Sequence, residues 1–310
     1  MTYSGQMLAM FPGQGSQFVG MGRTLLAEFP AVKSTFEEAE DAAKLNIRRL
    51  CFDGPDDELK LTANTQPSIL TVSIAIWRTL QAESGIKPAL FAGHSLGEYS
   101  AVVAAGKLDF ARAVHLVRCR GEAMQEAVPA GVGAMAAVLN TLADDLQGRC
   151  RDVSRSDSVV EVVNYNSPQQ LVVAGHKTAV DRLCANLETS GIRFVILPVS
   201  APFHSSLMLP AREAMTPLLT ASKFHQTNER VIPNLTAEIT QEYGANLLIE
   251  QINSAVKWTQ TLATAHAFGC RDYVEIGPGK VLFGLARKSL PRDVQLFHSE
   301  DIKQTIAAFC

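Results

Sequence analysis

The chain has 310 residues, 47% of them hydrophobic, and a formal net charge of −3. That length and apolar content bury a large core and leave room for one α/β domain carrying an inserted subdomain. The charge balance excludes a general nucleic-acid binder and restricts basic contacts to local groups such as Arg48 with Arg49, or Arg287, Lys288 and Arg292, which read first as solvated faces. The six cysteines show no C-x-x-C pairing and read as reduced thiols. The start of the chain lacks a basic leader, and no apolar run approaches the roughly 18 residues of a membrane span, so a soluble, cytoplasmic protein is expected.

In chain order, Leu8 to Phe11 reads as a buried strand running into the glycine-rich loop Pro12-Gly13-Gln14-Gly15-Ser16-Gln17. Helices are expected from Met21 to Phe29, Ser34 to Leu45 and Pro67 to Ser84, the last with Pro67 in its first turn. Ala89 to Ala92 forms the next strand and leads into Gly93-His94-Ser95-Leu96-Gly97. This G-x-S-x-G pentapeptide between a strand and a helix is a nucleophile elbow: the glycines allow a sharp turn that exposes the Ser95 hydroxyl above a helix N-terminus. The plainer alternative is an ordinary strand-helix turn with a serine cap.

From Gly133 the pattern changes. A strand (134–139), a helix (142–153), a hairpin (158–164 with 170–174), a helix (176–190) and a strand (193–199) follow in the order β-α-β-β-α-β. That order predicts a ferredoxin-like insertion over residues 131–198, with 1–130 and 199–310 forming an α/β-hydrolase-like large domain around a mainly parallel sheet. Later strands are expected at Val231 to Leu235 and Tyr273 to Ile276, and a helix over Asn246 to Phe268 interrupted near Ser254.

A serine hydroxyl needs a base, and of the seven histidines His204 is best placed, in a proline-flanked loop where the insertion returns to the large domain. The alternative is a histidine capping the helix that begins near Ser205. No Asp or Glu stands in the order of an α/β-hydrolase triad, which leaves a backbone carbonyl or an amide to orient the ring. In the helix from Phe110 to Met124, Arg120 lies near the margin of the apolar stripe, while Arg112 and Arg118 point further toward water. A guanidinium there needs an anion, either a protein carboxylate or one that arrives with the substrate. The loop after the first strand is a candidate donor of a backbone N–H to an oxyanion hole, together with that of Leu96.

With these segments in hand, the chain resembles the malonyl-CoA:acyl carrier protein transacylases of bacterial type II fatty acid synthesis. The likeness rests on Phe11 to Gln17, Gly93 to Tyr99, Arg120-Gly121 with Met124, Asn164 to Pro168, Ala201 to Ser205 and Glu275 to Gly279. It implies Ser95 as nucleophile, His204 as base and Arg120 as the clamp on a malonyl carboxylate. It also implies Gln14 and Leu96 at the oxyanion hole, the Gln251 carbonyl as the group that orients His204, and Phe203 as a ring disfavouring an α-methyl substituent. One departure stands out, Ser254-Ala255 where the family carries Asn-Pro. The implied activity is ping-pong transfer from malonyl-CoA to the phosphopantetheine thiol of acyl carrier protein, with no metal or redox cofactor, by a monomer. A carrier from polyketide synthesis, and a serine thioesterase, are the alternatives.

Overall fold

The computed structural model describes residues 6–199 and 201–310. Its strands are β1 (Gln6–Phe11), β2 (Leu90–Gly93), β3 (Gly133–Leu139), β4 (Val160–Ser167), β5 (Gln170–His176), β6 (Phe194–Ile196), β7 (Val231–Ile232), β8 (Cys270–Glu275) and β9 (Gln295–His298). Five of them form a parallel sheet in the order β7-β2-β1-β8-β9. Its centre, β1, is an almost unbroken apolar run because both faces are covered by helices. Ala9 and Phe11 point into one core with Ile69, Trp77 and Val274, whereas Leu8 and Met10 point into another with Trp258, Leu262 and Tyr273. The carboxyl ends of β1, β2 and β7 therefore lie side by side, and the loops leaving them form one crevice, the usual ligand position in such a sheet.

The other four strands, all from residues 133–196, make an antiparallel sheet in the order β4-β5-β3-β6. With the intervening helices Ala143–Val153 and Lys177–Thr189, this is the ferredoxin-like arrangement. Alternation along its strands divides the work. Ala136, Val138, Val173 and Leu171 pack on the two helices, while Met135, Ala137, Val172 and Ala174 face the other way, toward Leu197, Val199 and Phe203. The antiparallel sheet is tied at Asn164 to the segment before the helix Trp258–Phe268: Val256 N–H donates to Val163 O and Tyr165 N–H to Val256 O, each at 2.9 Å. Among the described residues no helix is long and apolar enough to cross a membrane.

Two expectations are corrected. The helix anticipated from Pro67 begins at Thr62, so Pro67 lies inside it rather than in the first turn. Proline removes the N–H that would bond the Ala63 carbonyl, and Arg118 Nη1 donates to that carbonyl at 3.1 Å instead, which makes the interior proline tolerable. The strand expected over 231–235 stops at Ile232, because Pro233 has no N–H to donate and the Asn234 N–H bonds the Glu98 carboxylate at 3.0 Å. Of the local basic groups, Arg48 and Arg49 are held in ion pairs with Glu40 and Glu58.

Candidate active site

The elbow is built by close packing. An added Cβ at Gly93 would stand 1.9 Å from Gly97 O, and one at Gly97 would stand 2.0 Å from Phe11 O, so only glycine allows β2, the turn and the helix Gly97–Ala104 to come this close to β1. Ser95 itself has φ 53°, in the left-handed region that costs a non-glycine residue about 1 kcal/mol or more. Asn234, in the loop after β7, holds the turn there: its side-chain oxygen accepts from Ser95 N–H at 2.6 Å and its amide donates to Gly93 O at 2.6 Å.

His204 is likewise held in the left-handed region, with φ 64°, in the loop between Ala201 and Ser205. Its ring is buried and does not cap the short turn that follows. Nε2 lies 2.7 Å from Ser95 Oγ, and Nδ1 lies 3.1 Å from the Gln251 carbonyl. Because a carbonyl only accepts, Nδ1 carries the hydrogen and Nε2 presents a lone pair to the serine hydroxyl. Burial, followed by the charge of Arg120, pushes the pKa of His204 down to about 3, so the ring is neutral near pH 7 and free to accept a proton. The serine-histidine pair is thus oriented by a backbone carbonyl, one of the two options left open by the absence of a triad acid.

Arg120 is 1% exposed, deeper than a stripe margin requires. Arg112 and Arg118, on the same helix Phe110–Glu126, remain partly exposed, as the helical spacing predicts. The guanidinium bonds no carboxylate among the described residues. Nη1 donates to Gln66 Oε1 at 2.9 Å, and Nη2 donates both to Gln251 Oε1 at 3.0 Å and to Ser95 Oγ at 3.2 Å. Its Nε has no hydrogen-bond partner. A buried cation surrounded by neutral acceptors, with donor capacity to spare, is poised for an anion.

Ser95, His204 and Arg120 open into one cleft of about 880 Å³, mouth included, also lined by Gln14, Leu96 and Phe203. Gln251 reaches the same cluster through its backbone and its side chain. The Gln14 side chain donates to Thr62 Oγ1 at 3.4 Å. Among the described residues, neither the Gln14 nor the Leu96 backbone N–H donates in a turn or loop, and both residues line the cleft. Phe203 and Met135 supply apolar wall, and His94 leaves the serine to its neighbour and bonds Asn166 Oδ1 at 2.9 Å.

Sequence reasoning missed Glu98, Asn234, Gln66 and the side chain of Gln251, all 2% exposed or less. Glu98 carried the only local signal, a carboxylate in the first turn of an otherwise uncharged helix. Its Oε2 accepts from Gln251 Nε2 at 2.6 Å as well as from Asn234 N–H, and its Oε1 accepts from the Tyr243 hydroxyl. Burial raises its pKa to about 7 against those bonds.

Comparison with known proteins places this geometry. The acyl transferase domain family matches residues 9–304. The malonyl CoA-acyl carrier protein transacylase of Bacillus subtilis (strain 168) is 45% identical over 283 residues, covering 90% of this chain and 89% of its own. That of Escherichia coli (strain K12) is 42% identical over 286 residues, covering 91% and 92%. Among solved structures, FabD from Acinetobacter baumannii superposes with a TM-score of 0.94 at 39% identity over 99% of both chains. A structure of a type II PKS acyl-carrier protein in complex with its malonyl-transacylase contains a chain that matches with a TM-score of 0.89 at 39% identity, covering 95% of each. With relatives this similar over nearly its whole length, the chain belongs to the acyl transferase domain family and, within it, to the malonyl CoA-acyl carrier protein transacylases.

Proposed function

We propose that the protein transfers a malonyl group from malonyl-CoA to the phosphopantetheine thiol of acyl carrier protein, through a malonyl ester on Ser95. The observation that carries this reading is the convergence on one oxygen: Ser95 Oγ lies 2.7 Å from His204 Nε2 and 3.2 Å from Arg120 Nη2. In the first half-reaction His204 Nε2 takes the hydroxyl proton as Oγ bonds the thioester carbonyl carbon. The N–H groups of Leu96 and Gln14 receive the oxyanion. Collapse breaks the C–S bond, and the proton on His204 passes to the departing coenzyme A sulfur. The carrier thiol then repeats the sequence in reverse sense, with His204 removing the thiol proton and Ser95 as leaving group.

Arg120 supplies selectivity. A malonyl carboxylate satisfies the buried guanidinium, whereas an acetyl group brings no charge and leaves it with neutral acceptors only. The Phe203 ring narrows the space an α-methyl group would need. No step calls for a metal or redox cofactor, and we take the working form to be a cytoplasmic monomer. The likeness to a transacylase solved with a type II PKS carrier supports a second reading, in which the same chemistry serves a polyketide carrier protein.

The test is intact-mass and peptide spectrometry after mixing with malonyl-CoA. A malonyl adduct should appear on Ser95, be absent in Ser95→Ala, and discharge onto holo acyl carrier protein far faster than into water. Fatty-acid and polyketide carriers compared side by side decide between the two readings. Rapid discharge into water with no carrier present would establish a hydrolase and refute transfer.

A further inference from the structure

The Ser95 turn rests on a second buried constellation, which lies behind the cleft and reaches two of its lining residues, Ser95 and Arg120. Glu98 is fully buried one helical turn beyond the nucleophile, and its carboxylate faces the Gln251 side chain. That amide is used at both ends. Nε2 donates to Glu98 Oε2 at 2.6 Å and to the Ser95 carbonyl at 3.0 Å, and Oε1 accepts from Arg120 Nη2 at 3.0 Å. A carboxylate and a carbonyl only accept, so the amide has one orientation that satisfies them, with NH₂ toward Glu98 and oxygen toward the guanidinium. Flipping it would set NH₂ against Arg120 and oxygen against the carboxylate, two unfavourable contacts in a region closed to water.

We infer that Glu98 is a positioning residue for acyl selection: through the Gln251 amide it sets where the Arg120 Nη2 points, and thereby aligns the guanidinium with the carboxylate of the acyl group. Glu98 is held for this from the other side by the Tyr243 hydroxyl and the Asn234 N–H, so the carboxylate is itself fixed. It is also the carboxylate whose charge Arg120 feels, at one amide's remove. A direct ion pair would occupy the guanidinium face that the substrate needs. An acceptor relayed through an amide holds the guanidinium in place and leaves that face open. Tyr99, whose ring lies 5.7 Å from the Arg120 guanidinium carbon, supports it from one side without taking a hydrogen-bond donor.

This inference rests on the reading of Arg120 as the carboxylate clamp, and the experiment separates the two. The kcat/KM for Ser95 acylation is measured with malonyl-CoA and acetyl-CoA for the wild type, Glu98→Ala, Glu98→Gln, Gln251→Met and Arg120→Ala, with a thermal melt of each. Gln251→Met keeps the backbone carbonyl that orients His204 and removes only the amide. Glu98→Ala and Gln251→Met should each lower the malonyl-to-acetyl ratio by about tenfold or more, mainly through KM for malonyl-CoA, the size of one charge-assisted hydrogen bond lost from the bound state. Glu98→Gln, whose amide oxygen still accepts from Gln251, should restore most of the ratio. The double variant Glu98→Ala with Gln251→Met should be no worse than the poorer single, because both break one chain of contacts. A merely structural Glu98 would lower both acyl donors equally and leave the ratio alone, and that result overturns the inference. If Glu98→Ala does not fold, Gln251→Met decides, and an unchanged ratio there overturns it equally. An unchanged ratio in Arg120→Ala would instead refute the clamp.

Discussion

Replacing Gly97 with alanine tests whether the shape of the elbow, rather than the presence of a serine, makes the nucleophile. The new Cβ would stand 2.0 Å from Phe11 O and 2.8 Å from Pro12 O, below the 3.0 Å that real Cβ contacts respect. Both obstacles are backbone at the end of the central strand, so neither can rotate away. The helix Gly97–Ala104 and β1 must part by about 1 Å or more to relieve the clash. Overpacking of this kind costs about 1–3 kcal/mol, which a domain of ordinary stability survives folded. The functional loss should be larger, because the same displacement moves Ser95 Oγ relative to His204 Nε2, now 2.7 Å away, and a 1 Å misplacement of reacting groups costs on the order of 10²-fold in rate. Single-turnover malonylation of Ser95, followed by quenched-flow mass spectrometry alongside urea unfolding, gives both numbers. A variant that acylates at the wild-type rate would refute the claim that backbone contact at Gly97 sets the geometry of the nucleophile.

His204 and Asn234 carry the further outcomes. The base form of His204 should survive well below the usual histidine range, since burial and Arg120 hold its pKa down to about 3. Accordingly kcat/KM for malonyl-CoA, which reports the free enzyme, should show no acid limb centred near pH 6.5, and a limb there would contradict the buried, cation-facing imidazole. The sign for stability is consistent: between about pH 3 and 6.5 the unfolded chain binds a proton at this position that the folded chain refuses. This group therefore costs nothing above that window and destabilises progressively as pH falls through it. Asn234→Ala should lower stability by about 2–6 kcal/mol in urea unfolding, because the Ser95 N–H and the Gly93 carbonyl both lose their partner in a closed interior. It should slow acylation as well, as the left-handed turn at Ser95 relaxes; a loss under about 1 kcal/mol would show that other contacts hold the turn.

What could be read in the chain itself was what depends on near neighbours. A strand, two glycines around a serine and a helix start are contiguous, so the elbow declared itself at Gly93 to Gly97. Helical spacing separated Arg120 from Arg112 and Arg118, and the order of strands and helices from 133 to 196 marked the ferredoxin-like unit. His204, in the loop begun by Pro198 and Pro202, stood out because it followed that unit's last strand. Even the wrong start assigned to the Pro67 helix had a long-range cause, a carbonyl satisfied by Arg118, 55 positions away.

Folding alone decided what surrounds those residues. Glu98, Asn234 and Gln251 meet across separations of 136 and 153 positions, and each is unremarkable in its own segment. Whether a polar side chain is a solvated surface group or a buried acceptor depends on what packs over it, and hydrogen-bond geometry is fixed to tenths of an ångström only when distant strands and loops are brought together. The residue types announced which chemistry the chain was equipped for. The parallel sheet, by setting the ends of β1, β2 and β7 beside one another, determined which hydroxyl, imidazole and guanidinium share a single cleft.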